Sequence, residues 1–153
     1  MDIAYIAGFF DGDGSLMLQL KRRSDTRRGW RFMATICFYQ DSKKDDALYW
    51  MRDVFGIGFI SKRSDGITEF RINGFETVGK VLKMLLPHLR FKQRQANLMM
   101  DAIKILSARH ANDLKQKDLY FLSDCILAIQ SENYKSGNRR SREKLFLILG
   151  LTP

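Results

Sequence analysis

Apolar residues recur at helical spacing from the start of the chain. Ile3, Ile6, Ala7 and Phe10 fall three, four and seven apart, predicting a short helix with Asp2 as its N-cap. Alternation follows. Leu16, Leu18 and Leu20 interleave with Met17, Gln19 and Lys21. Beyond the basic stretch from Arg22 to Gly29, a second run sets Phe32, Ala34, Ile36 and Phe38 against Arg31, Met33, Thr35, Cys37 and Tyr39. Period two in neighbouring runs predicts a hairpin with one buried face. The period lengthens again through Ala47, Leu48, Trp50, Met51, Val54 and Phe55, a helix capped by Ser42 and ended by Gly56. A second hairpin is expected from Phe59 to Arg63 and from Glu69 to Asn73 around Asp65-Gly66, with Phe70 and Ile72 inward and Glu69, Arg71 and Asn73 outward. Further helices are expected from about Phe75 to Leu86, Lys92 to Arg109, Asp113 to Ser131 and Ser141 to Leu149.

Helix, two strands, helix, two strands and then helices is an α+β order, with helices gathered on one face of an antiparallel sheet and a polar, basic face left on the other. At 153 residues with 45% hydrophobic content, the chain is expected to be one domain, with a core over about 1–109 and C-terminal helices over about 110–153. Only one copy of the pattern is present, so a second copy of the chain is needed for any two-fold arrangement.

Charge narrows the choice of partner. A net charge of +9 and a pI near 9.8 point to a polyanion, either nucleic acid or an anionic membrane surface. No run approaches the roughly 18 apolar residues of a membrane span, and Met1-Asp2-Ile3 opens no signal-peptide pattern, so an intracellular protein is expected. Cys37 and Cys125 form no metal or disulfide pattern, and His88 and His110 read as surface residues. Carboxylates are left to supply any metal ligands.

The candidate chemistry lies in Ile6-Ala7-Gly8-Phe9-Phe10-Asp11-Gly12-Asp13-Gly14, which sets two carboxylates at the end of the first helix. An anion at a helix C-terminus is unfavourable by some tenths of a kcal/mol unless a cation sits nearby. A divalent metal is the natural candidate. An EF-hand loop is excluded by spacing, because counting from Asp11 its sixth and twelfth positions hold Leu16 and Arg22 instead of Gly and Glu. A plain Gly-rich turn between helix and strand is the alternative. Ala4, Gly8 and Gly12, four apart, leave a nearly bare ridge along which another backbone can approach.

These nine residues resemble the signature of the LAGLIDADG homing endonucleases, and Pro87-His88-Leu89-Arg90-Phe91-Lys92-Gln93-Arg94-Gln95-Ala96 resembles a second stretch of the single-motif, homodimeric members. The resemblance implies an αββαββα core whose curved antiparallel sheet forms a saddle over DNA, here with extra C-terminal helices. It also implies phosphodiester hydrolysis at a long pseudo-palindromic duplex target of about 20 base pairs or more, leaving 3′ overhangs. Asp13, one from each subunit, would hold the metal, with the Gly12 carbonyl as an additional ligand. Gln40 would position water, Lys92 would lie near the scissile phosphate, and Lys44 would stand at the periphery where relatives carry Arg. Asp11 is either a second ligand or a hydrogen-bonding residue of the helix end.

Mg²⁺ suits such oxygen-only coordination, with Mn²⁺ as a substitute and Ca²⁺ supporting binding without cleavage. The dimer interface would use Ala4, Ala7, Gly8 and Gly12. Base contacts would come from the outward strand residues Gln19, Lys21, Arg31, Met33, Cys37, Tyr39, Ser61, Arg63, Glu69 and Arg71. Arg22, Arg23, Arg27 and Arg28 in the first hairpin loop and Lys135, Arg139, Arg140 and Arg142 near the C-terminus would hold phosphates. The expected setting is the cytoplasm of a prokaryote or an organelle matrix. The competing reading is a protein of the same type that keeps the fold without cutting, an RNA maturase or a DNA-binding regulator.

Overall fold

A computed structural model describes residues 1–133 and 139–153. The first helix, α1 (Asp2–Asp13), buries Ile6, Ala7 and Phe10 completely. Met1 takes the N-cap position expected of Asp2, which falls in the first turn, and the Met1 carbonyl accepts the Tyr5 amide at 3.3 Å. Helical geometry runs through both acidic residues and stops at Gly14, whose amide still donates to the Phe10 carbonyl at 3.0 Å. A side chain cannot be added there. A Cβ on Gly14 would come within 2.1 Å of the Phe10 ring and 2.7 Å of the Phe10 carbonyl oxygen.

Strands β1 (Ser15–Arg22) and β2 (Trp30–Asp41) form the first hairpin, in a register that sets Leu18 opposite Ala34 and Leu16 opposite Ile36. The period-two pattern fixes which face is buried. Helix α2 (Asp46–Phe55) starts later than Ser42 would have it. Strand β2 runs on to Asp41, whose carboxylate accepts the Lys43 amide at 2.8 Å and whose carbonyl accepts the Lys44 amide at 2.9 Å. The chain is therefore still turning at Ser42, and Asp45 becomes the N-cap. Ser42 Oγ lies 2.8 Å from Thr68 Oγ1, which donates in turn to the buried Asp45 carboxylate at 2.7 Å. Gly56, at φ 65°, ends the helix as expected.

Strands β3 (Phe59–Lys62) and β4 (Ile67–Asn73) complete the sheet in the order β1-β2-β4-β3, all pairs antiparallel. Helices α3 (Phe75–Leu85), α4 (Gln93–Ala108), α5 (Gln116–Glu132) and α6 (Arg142–Leu149) follow, with short 3₁₀ turns at Leu86–His88 and Ala111–Asp113. The core joins sheet to helices through a file of aromatic rings. Phe10 of α1 packs on Phe38 at 5.4 Å between centroids, and Phe38 stacks on Phe70 at 5.5 Å. Such ring pairs add to the burial of each ring and seat the end of α1, with its two acids, on the sheet.

Candidate active site and nucleic-acid face

Asp11 and Asp13 stand two apart on α1, so they leave the helix in different directions. Asp11 turns inward. Its carboxylate accepts the backbone amides of Arg90 at 2.6 Å and Lys92 at 2.9 Å, and its carbonyl accepts Lys92 Nζ at 2.6 Å. Each of its carboxylate oxygens thus accepts one amide of the Leu89 to Lys92 loop, the hydrogen-bonding arrangement of a helix end. Lys92, the N-cap of α4, is buried, with its ammonium on the carbonyl end of α1 and 5.8 Å from the Phe10 ring centroid. A cation is favourable at that end of a helix. Burial lowers the Lys92 pKa, and the charges of Asp11 and Asp13 pull it partly back.

Asp13 turns outward and is exposed. With Gly12, Gly14, Ser15, Lys92, Glu132 and Asn133 it lines a cavity of about 300 Å³. The structure thus brings Gly12, Asp13 and Lys92 together. Gln40 and Lys44 do not line this cavity. Gln40 is half-buried at the end of β2, where its Oε1 accepts the Asp41 amide at 2.9 Å, and Lys44 is exposed in the turn that follows. Two wall residues escaped sequence reasoning. Glu132 ends α5 and pairs with Arg94 at 2.8 Å, and Asn133 donates to the Leu16 carbonyl at 3.0 Å. No local pattern announces either, because both reach the cavity only through the packing of α5 on β1.

Among the described residues, no group of three or more His, Cys, Asp or Glu comes together that could hold a metal. An exposed carboxylate and a carbonyl at a helix end are nonetheless a hard-oxygen donor set that a divalent cation accepts. On the same helix the ridge is bare. Ala4, Gly8 and Gly12 are exposed, and a Cβ on Gly8 or Gly12 would meet nothing within 4 Å. Ala7, expected at the interface, is instead fully buried in the chain's own core, since it shares the face of Ile6 and Phe10.

Residues 6–106 match the family model described as LAGLIDADG endonuclease. The chain belongs to that family. It is 31% identical over 106 residues to the DNA endonuclease I-CvuI of Chlorella vulgaris, a match covering 69% of this chain and 66% of that protein, just under two thirds of its length. To the DNA endonuclease I-CreI of Chlamydomonas reinhardtii it is 30% identical over 112 residues, covering 72% and 68% of the two chains. A crystal structure of I-CvuI in complex with the I-CreI target in 2 mM Mg, with its DNA not cleaved, superposes with a TM-score of 0.81 at 26% identity, covering 97% of this chain and 92% of that one.

The outer sheet face of this LAGLIDADG chain is less open than alternation implies. Arg31 and Lys21 are exposed, and Gln19, Met33, Tyr39, Ser61 and Arg71 are half-buried. Cys37 corrects the expectation: it is fully buried and offers no surface to a base. Burial pushes its thiol up to about 11 and the neighbouring Tyr39 hydroxyl up to about 12. Glu69 is corrected too. It is buried, with one carboxylate oxygen 3.1 Å from Arg63 Nη1 and the other 2.6 Å from Arg71 Nε, so it holds two arginines and reaches no base itself.

Of the presumed phosphate contacts, Arg23 pairs with Asp25 at 2.6 Å, and Arg28 donates to the Asn112 carbonyl at 3.0 Å with its guanidinium 5.6 Å from the Trp30 centroid. Arg22 and Arg27 are exposed. Arg142 pairs with Asp124 at 3.0 Å. Arg139 is exposed and Arg140 half-buried, while Lys135 lies outside the described residues. Among the described residues, no helix is long and apolar enough to cross a membrane.

Proposed function

We propose that the chain is a divalent-metal-dependent, site-specific DNA endonuclease that works as a homodimer and leaves 3′ overhangs at a pseudo-palindromic target. The whole of 1–153 acts as one endonuclease domain. The observation that carries this reading is the meeting of Asp13 and Lys92 in one cavity at the end of a bare-ridged helix, in a chain of the LAGLIDADG family. Two copies docked ridge to ridge would set two Asp13 carboxylates and two Gly12 carbonyls at the shared axis.

Those groups would hold Mg²⁺, with Mn²⁺ as a substitute and Ca²⁺ supporting binding alone. A divalent ion there supplies charge neutralisation on the phosphoryl oxygens and a more acidic water. The chain's own part is positioning. Lys92 cannot drift, because Asp11 holds both its amide and its ammonium, so its charge is preorganised for the phosphate, which is where an electrostatic group is most effective. Gln40 and Lys44, at the strand end and the turn beyond, would reach the water and the phosphate from the sheet side once DNA fills the saddle. Gln19, Lys21, Arg31, Met33, Tyr39, Ser61, Arg63 and Arg71 would face the major groove, with Arg139 and Arg140 on phosphates.

The test is Asp13→Asn assayed in Mg²⁺ on a duplex recovered from a random library by its binding to the wild type in Ca²⁺. Cleavage should vanish while specific binding stays within about threefold, since the sheet makes the contacts. Mg²⁺-dependent cutting retained by the variant would refute the assignment of Asp13. Specific binding by the wild type, with no cutting under any divalent ion, would make the chain a non-cleaving maturase or regulator.

A further inference from the structure

In the helical layer, α3 and α4 lie side by side and leave between them an open groove of about 960 Å³. No strand residue lines it, and neither does any residue of the Asp13 cavity. Its floor is apolar: Gly79 and Ile103 are buried, and Phe75 and Met100 are half-buried. The polar side chains of its walls, Glu76, Lys80, Lys83, Asp101, Lys104 and Ser107, all belong to exposed residues and so stand at the rim. Phe75, Gly79 and Lys83 follow at intervals of four along α3, so the groove runs for about 12 Å, a little over two turns.

Gly79 is the feature the fold itself does not explain. It sits in the middle of α3, where glycine weakens a helix relative to alanine. Yet a Cβ there would lie 3.6 Å from Ile103 Cγ2, an ordinary contact, so packing within the chain does not call for glycine. What the missing side chain does is lower the floor. The rim has a charge of its own. Lys80 is spent on Glu76 at 2.8 Å, while Lys83, Lys104 and Asp101 make no ion pair among the described residues, leaving two cations against one anion.

We propose that this groove docks one amphipathic helix of a protein partner, apolar toward Gly79 and Ile103 and acidic where it passes Lys83 and Lys104. A groove between two helices receives the side-chain ridge of a third, and the bare Gly79 lets that ridge come close. A strand would need open backbone groups to pair with, and the interiors of α3 and α4 have spent theirs on their own hydrogen bonds. A small molecule is held by polar groups converging inside its pocket, and here every polar side chain stands at the rim. Nucleic acid would find cations but has no use for the apolar floor. The partner's net negative charge complements the rim and steers its approach. Because the groove shares no residue with the sheet, its occupant leaves the outer sheet face uncovered.

The probe is a displayed library of helices of about four turns, with apolar residues fixed at i, i+3, i+4 and i+7 and the flanking positions randomised, panned on the full wild-type chain. Selected peptides should be enriched in Asp and Glu at the flanks. A synthetic copy of the leading peptide should shift the backbone amide signals of α3 and α4 and leave those of β1 to β4 in place. Reversing both rim charges, Lys83→Glu with Lys104→Glu, should weaken it at least about tenfold, by less as salt rises. Gly79→Ala separates docking from folding: it should melt about 2–4 °C above wild type and bind the peptide about tenfold more weakly. The proposal is overturned if no peptide is selected, if the selected flanks show no acidic bias, or if the shifts fall outside α3 and α4. It is overturned equally if Gly79→Ala melts lower than wild type, since packing would then require the glycine. Sodium dodecanoate shifting these amides where no peptide does would mark a site for a small amphiphile instead. The same amides shifting with protein concentration alone, in competition with the peptide, would make the occupant a second copy of the chain and overturn the acidic partner.

Discussion

At the scale of single residues, the two acids of α1 divide their labour by direction. Little more than half a helical turn separates a structural carboxylate, Asp11, from an exposed one, Asp13, although the sequence presents them as a pair. Asp11→Asn should therefore cost folding stability, about 1–3 kcal/mol, because the amide cannot accept from both the Arg90 and Lys92 N–H groups. Cleavage should slow as Lys92 loosens. Asp13→Asn should melt within about 0.5 kcal/mol of wild type, the range of ordinary surface changes. Thermal melts of the two variants side by side decide it, and an equal loss in both would contradict the division. Lys92→Met, which keeps most of the buried stem, should cut at least about a hundredfold more slowly with affinity little changed. A variant that lost binding but cut normally once bound would move Lys92 to the phosphate-anchoring residues.

At the scale of elements, β4 carries a device that only the folded sheet reveals. Glu69 faces outward by alternation but lies under its own arginines, Arg63 and Arg71. Burial pushes its pKa up, and the hydrogen bonds from Arg71 and Arg63 more than offset it, leaving the carboxylate below the ordinary 4.5. A carboxylate lowered by folding adds stability that is present above its ordinary value and is lost as pH falls through its folded one. With Arg63 and Arg71 side chains 47% and 32% exposed, the pairs are partly screened, and Glu69→Gln should cost about 1–2 kcal/mol near pH 7. The difference in melting temperature from wild type should close below roughly pH 4.5. A difference that stays constant down to pH 3 would exclude Glu69 as its source. The hairpins themselves were legible, because a period of two admits one inward set per strand. The start of α2 was not, since Ser42 and Asp45 can both cap and the choice fell to Asp41 staying in β2. Cys37 was misread for a related reason: alternation names a face, while burial depends on neighbours across the sheet, here Arg71 and the Ser15 backbone. Glu132 and Asn133 were invisible because only tertiary packing brings them to Asp13.

At the scale of the whole molecule, the length of the sheet and the bareness of α1 lead to one experiment. The 8 residues of β1 and 12 of β2, at about 3.3 Å each, reach roughly 26 to 40 Å, the span of about 8 to 12 base pairs. A target of about 20 base pairs thus needs two saddles in line, and the ridge of Ala4, Gly8 and Gly12 offers the place to join them. Gly8→Leu separates fold from assembly. Within one chain a Cβ at Gly8 meets nothing within 4 Å, and replacing a mid-helix glycine gains up to about 1 kcal/mol of helix propensity, so the variant should melt no lower than an isolated wild-type subunit. Between two chains the same leucine holds the backbones apart. Sedimentation in dilute solution should show a wild-type dimer and a Gly8→Leu monomer, and end-labelled duplex should show paired nicks a few bases apart about the target's centre for wild type alone. The shared site fails if wild type is monomeric both free and on its DNA, or if Gly8→Leu still makes both nicks, because Asp13 carboxylates on separated subunits could not meet at one axis.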